Sequence, residues 1–131
     1  MNEAVTIILP IPNPVLSPNV AIGSYGGRMK KASAAKRYRR LAREAVEAEE
    51  VESIPWERVI VSAKFFSRDK RRRDTDNAMA SLKSAYDGIV DSGIVVDDDW
   101  EHMMRGIPSF DIDKINPRVE LTITRCVDAV L

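Results

Sequence analysis

Apolar positions along the chain alternate between a period of two and a period near 3.6, and the switches mark out the elements. Val5-Thr-Ile-Ile-Leu9 is rich in β-branched residues and halts at Pro10, which has no N–H to give a ladder, so a first strand is predicted there. From Pro10 to Lys31 four prolines, three glycines and two asparagines follow without helical period. That predicts a long loop, and a loop of this length in a small domain is usually functional. Ser33 can cap a helix in which Ala34, Tyr38, Leu41, Ala42, Ala45 and Val46 recur at i, i+3, i+4 spacing to about Glu50, before Pro55 closes the linker. Arg58 to Phe66 places Val59, Val61, Ala63 and Phe65 on one face of a strand, and the alternate face also looks partly covered. Met79, Leu82, Tyr86 and Ile89 form a helical stripe that Gly93 is suited to end. A short Ile94-Val95-Val96 segment precedes an acidic run, and the residues from about Glu101 to Asp111 supply a third strand. Pro117 to Arg125 alternates Val119, Leu121 and Ile123 with Glu120, Thr122 and Thr124, the cleanest strand signal in the chain.

The order β-α-β-α-β-β predicts an α/β (α+β) fold, a single small domain over residues 1–131 with a mixed sheet of about four strands and two main helices. Aromatics make up only 6% of the chain, so its core must rest on Val, Ile, Leu, Met and Ala. Cys126 is the only cysteine and cannot make an internal disulfide, which fits a reducing cytoplasm. The N-terminal apolar stretch lacks a basic leader and is interrupted by Pro10, Pro12 and Pro14, so neither export nor a membrane span is expected.

Twenty basic and twenty acidic residues cancel, which by itself argues against a generic nucleic-acid binder. The distribution argues otherwise. Eight cations lie between Arg28 and Arg43 with no acid among them, and six more between Lys64 and Arg73 with only Asp69 for company. Arg28, Lys30, Lys31, Lys36, Arg37 and Arg40 in the first window, and Arg68, Lys70, Arg71, Arg72 and Arg73 in the second, are the candidate DNA contacts. For the helical cations a solvated face beside Glu44 and Glu47 is the competing reading.

The chemistry concentrates in Arg71-Arg-Arg-Asp-Thr-Asp-Asn77, followed by Lys83, Asp87, Gly93 and Asp97-Asp98-Asp99. Capping the second helix would account for one of Asp74 and Asp76, but not for both beside three more acids. Carboxylates gathered at one spot repel each other unless a cation holds them, and a hard divalent ion such as Mg²⁺ takes oxygen ligands while keeping sites for water and substrate. With arginines alongside, that is the constitution of a metal-dependent phosphoryl-transfer or nuclease site. A solvated acidic turn is the bland reading of residues 97–99, and the ligand spacing of an EF-hand is absent.

This pattern resembles the RusA family of Holliday-junction resolvases, small, often prophage-encoded cytoplasmic endonucleases. The resemblance runs through Arg-Arg-Arg-Asp74-Thr-Asp76-Asn77, the Lys83-x-x-x-Asp87 pair, Gly93 and Asp97-Asp98. Ile7-Ile-Leu-Pro-Ile-Pro12 looks like the family's first strand and Arg118-Val-Glu-Leu-Thr-Ile-Thr124 like its last. It implies a homodimer that cuts four-way DNA junctions symmetrically with Mg²⁺, or Mn²⁺ as a substitute, in DNA recombination and repair. Residue by residue, it implies that Asp74, Asp76 and Asp98 bind the metal and are catalytic, that Asp97 supports them, and that Lys83 is catalytic or contacts phosphate. One position departs. The family's lysine lies one turn after the second Asp, where this chain has Ala80, so an inserted turn is expected to have moved it to Lys83. Either the insertion bulges or starts the helix later and Lys83 reaches the scissile phosphate, or the helix is regular and Lys83 pairs with Asp87.

A non-catalytic DNA-binding or regulatory module, and a metal-dependent nuclease for other branched or single-stranded DNA, are the rival readings. His102, the only histidine, reads as a surface or edge-strand residue rather than a general base. Trp56 and Trp100 read as packing residues rather than base-stacking ones. Tyr25-Gly26-Gly27-Arg28 reads equally as a plain turn or as a loop whose glycines let backbone approach phosphate.

Overall fold

In the computed structural model, which describes residues 3–18, 23–70 and 74–126, the strands are β1 (Ala4–Leu9), β2 (Val59–Ser67), β3 (Met103–Arg105), β4 (Ser109–Ile112) and β5 (Arg118–Arg125). The helices are α1 (Tyr25–Ala48), α2 (Thr75–Ser81) and α3 (Lys83–Asp91), with a short 3₁₀ turn at Pro14–Leu16. The α+β class and mixed sheet are as expected. β1 pairs antiparallel with β5 and β5 antiparallel with β2, while β3 and β4 both lie parallel to β2, one beside each half of it. The expected third strand is thus two short ones, and the sheet has five strands rather than four.

The strands bury one face. Ile7, Leu9, Val59, Val61, Ala63, Phe65, Val119, Leu121 and Ile123 are all closed to solvent, together with Tyr38, Ala42 and Val46 of α1 and Ala85, Tyr86 and Ile89 of α3. The other face is polar or half-covered: Thr6 and Thr122 hydrogen-bond there at 2.9 Å, and Arg118 stacks over Phe66 at 3.8 Å.

Two helix boundaries differ from expectation. α1 begins at Tyr25, not at Ser33, because the Ser24 hydroxyl accepts the Gly27 N–H at 3.0 Å and caps the helix a full two turns earlier. Gly26 and Gly27, each worth about 1 kcal/mol against a helix, mask that start in the sequence. The second helix is two: α2 tightens at its end, where the Leu82 N–H bonds to Met79 O, and α3 restarts at Lys83. Gly93, at φ 86°, ends α3 as its sequence position suggested.

α1 crosses α3 at Gly88, where a Cβ would collide with the Arg39 carbonyl and lie 2.9 Å from the Ala42 Cβ. Arg39 then clamps Asp91 through Nε and Nη2.

Candidate active site

Asp74 lies just before α2 in extended backbone, and its Oδ1 accepts the N–H groups of Asp76 at 2.9 Å and Asn77 at 3.3 Å. It therefore does cap the helix. It also lines a groove of about 920 Å³ between the 11–14 segment, the end of β2, α2 and Phe110 of β4, with Ser67, Arg68 and Asn77 among its polar walls. Asp76 is exposed in the first turn of α2, where the positive end of the helix favours a carboxylate.

A second constellation forms across the α2–α3 break. Lys83, first residue of α3, donates from Nζ to Asp87 Oδ1 at 2.8 Å and to Asp98 Oδ2 at 3.2 Å. Arg105, last residue of β3, donates from Nη2 to the same Asp98 oxygen at 3.0 Å, and its guanidinium stacks 4.5 Å over the Tyr86 ring. Asp98 is thus gripped by two cations from two different elements. The Lys83 hydrogen bond holds the Asp98 carboxyl below the usual carboxylate range despite its partial burial. Reciprocally, the bonds to Asp87 and then Asp98 hold Lys83 above the usual lysine value.

Lys83 thus makes the Asp87 pair expected of a regular helix, although α2 ends at Ser81 and α3 begins at Lys83, and it reaches Asp98 as well. Arg105 escaped sequence reasoning. Its only signal was a cation closing the apolar pair Met103-Met104.

Asp97 is exposed and its Oδ1 accepts the Asp98 N–H at 2.7 Å. Asp99 Oδ1 accepts the N–H groups of Glu101 and His102 and meets His102 Nδ1 at 2.7 Å. His102 is half-buried in that turn, next to the start of β3 and not within a strand.

Among the described residues no three His, Cys, Asp or Glu side chains converge as a metal cluster. One chain presents two carboxylate pairs, Asp74 with Asp76 and Asp97 with Asp98. Either suits a hard ion that takes one or two carboxylates and completes its shell with water and phosphate oxygens.

The basic windows divide. In α1, Arg39, Arg40 and Arg43 have acidic partners in Asp91, Glu44 and Glu47, whereas Arg28, Lys30, Lys31, Lys36 and Arg37 have none among the described residues. The acidic partners thus accompany the cations in the C-terminal half of the helix. In the second window Arg68 lines the large groove and Lys70 is exposed, while Arg71, Arg72 and Arg73 lie outside the described residues. Tyr25 to Arg28 form the first turn of α1 rather than a loop.

The two tryptophans part company. Trp56 is fully buried, its backbone N–H bonded to Ile94 O at 2.7 Å, as a packing residue should be. Trp100 is 78% exposed, so its expected packing role does not hold: it sits at the tip of the 97–102 turn with no ring partner among the described residues.

The model of the endodeoxyribonuclease RusA family matches residues 11–124, a span that takes in β2, both carboxylate pairs, Lys83 and Arg105. The chain belongs to the RusA endodeoxyribonuclease family. No curated protein matches it. Membership in this family places the chemistry at a DNA phosphodiester. Among the described residues no helix is long and apolar enough to cross a membrane.

Proposed function

We propose that this chain is a metal-dependent endodeoxyribonuclease that resolves four-way DNA junctions by paired symmetric cuts. The observation that carries this reading is the meeting of Asp98 with Lys83 and Arg105, in a chain of this family. It gives one carboxylate kept ionised beside two cations able to face a phosphodiester.

Asp74 with Asp76, and Asp98 with Asp97 in support, would each offer a carboxylate pair to Mg²⁺, or Mn²⁺ in its place, with water and phosphate oxygens completing the shell. When bound, the ion supplies an activated water and neutralises charge developing on the phosphate. The chain's own residues do the rest. Asp74 orders the start of α2 and so fixes where Asp76 stands. Lys83 and Arg105 position Asp98 and place positive charge beside it, where it offsets charge in the transition state. Arg28, Lys30, Lys31, Lys36, Arg37, Arg68 and Lys70, with Arg71 to Arg73, would track the backbone. A homodimer places one such cluster against each of two opposed strands.

A synthetic four-way junction incubated with the protein and Mg²⁺ is expected to yield symmetric nicked duplexes, and none in EDTA. Binding without cleavage at any metal concentration would make the chain a DNA-binding module. Cleavage confined to flaps or single strands would make it a nuclease of another target.

A further inference from the structure

Trp100 is the largest exposed aromatic beside the Asp98 cluster, and the turn carrying it is held firmly. The Asp98 N–H bonds to Asp97 Oδ1, Asp99 Oδ1 takes the N–H groups of Glu101 and His102, and the Met103 N–H bonds to Asp99 O at 2.9 Å. The side chain of Asp98, two residues before the tryptophan, is anchored to α3 and β3 through Lys83 and Arg105. Exposing an indole on a rigid turn costs hydrophobic stabilisation, so a partner for the ring is the physical question.

A second protein surface is a poor partner. Covering the ring would also draw in the exposed carboxylates of Asp97, Asp99 and Glu101, and acidic residues are depleted from interface cores because burying them unpaired is costly. A nucleobase needs only the face of the ring and leaves those carboxylates in water. Lys83 and Arg105 lie at the Asp98 end of the turn, both paired with Asp98 and Lys83 with Asp87 as well.

We propose that Trp100 is a stacking platform for a base displaced from the duplex beside the cleavage site. This rests on the endonuclease reading above. In a duplex each base is already stacked on both faces, so the platform engages only where a branch or a single strand frees one face. Trp100 would thereby favour branched DNA over plain duplex.

The test uses the full chain in EDTA with a four-way junction, a matched duplex and a matched single strand. Trp100→Ala is expected to weaken junction and single-strand binding about fivefold to a hundredfold, the loss typical of one stacked base, and to leave duplex binding within about twofold. Trp100→Phe should restore most of it. The emission that wild type has and Trp100→Phe lacks should be quenched by junction, while buried Trp56 reports that each variant is folded. Equal junction binding by wild type and Trp100→Ala, or an equal loss on junction and duplex, would overturn the proposal. So would a change of molecular mass in either variant, which would place a second copy on the ring. Wild type that binds none of the three DNAs would sink the endonuclease reading and this one together; wild type that binds and cuts junctions while Trp100→Ala matches it sinks this one alone.

Discussion

At Asp98 two cations share one carboxylate oxygen, so the effects of removing either side have opposite signs for DNA. Asp98→Asn deletes a proposed metal ligand and frees Lys83 and Arg105 from a negative charge. Cleavage is expected to vanish while junction binding tightens, and stability should fall by no more than about 1 kcal/mol because the asparagine oxygen still accepts a hydrogen bond. A gel-shift titration beside a cleavage time course reads both, and a variant that cuts near the wild-type rate would remove Asp98 from the site. Lys83→Ala is expected to slow cleavage by roughly a hundredfold or more, as loss of one transition-state charge contact does. A change within about threefold would pass the role to Arg105, which shares the Asp98 oxygen with Lys83. Much of this site was legible, for a physical reason: acids and a lysine spaced along one segment carry their own signal. Arg105 was not, because what makes it a site residue is the return of β3 alongside β2, which brings it to Asp98, and nothing local in Met103-Met104-Arg105 encodes that contact.

Between elements, the crossing of α1 and α3 sets where the site's supports stand. Gly88→Ala improves intrinsic helix propensity by about 1 kcal/mol but drives a methyl into the Arg39 carbonyl and Ala42. Packing should win, for a net loss of about 1–3 kcal/mol, seen as a lower urea midpoint with unchanged slope. A gain in stability would show that the helices do not meet there. The same crossing carries a pH dependence. The Arg39 hydrogen bond lowers the Asp91 pKa from its ordinary 3.8, so the folded state binds that proton more weakly than the unfolded chain. The contribution is therefore full above about pH 4 and is lost as pH falls from 3.8 through the lower folded value. With both side chains partly in solvent it amounts to about 0.2–1 kcal/mol. Asp91→Asn should lose correspondingly less stability between pH 7 and pH 3 in urea titrations. An acid limb identical to wild type would show the pair to be idle. The helices also show what periodicity conveys and what it omits. Tyr38, Ala42 and Val46 were read as a buried stripe because burial follows the 3.6 period. The apolar period did not show the break at Leu82, since Met79, Leu82, Tyr86 and Ile89 keep their spacing through it; the displaced Lys83 was its only sign. The outward turn of Trp100 was equally hidden, because an aromatic flanked by acids has no period to place it.

Over the whole molecule a net charge of zero conceals separated cations and acids, and the structure sorts the cations by what they touch. If two opposed strands are cut together, two Asp98 clusters must be held in fixed relation, and a single described domain carries one; a homodimer by light scattering at concentrations active on junctions is the expected result. A monomer under those conditions would contradict paired cutting by a preformed pair of sites. Salt dependence tests the distribution itself. Counterion release follows the cations that meet phosphates rather than the molecular total, so junction binding should weaken steeply with salt despite the zero sum. Lys36 and Arg37 lack acidic partners among the described residues, whereas Arg43 lies 3.6 Å from Glu47. Neutralising Lys36 or Arg37 to glutamine should each flatten the slope of log K against log salt by roughly one unit, the value for one lost phosphate contact. Arg43→Gln should leave the slope unchanged, because its charge is already answered within the helix. Equal slopes for all three variants and wild type would mean that α1 turns its cations to water and that the DNA lies against another face.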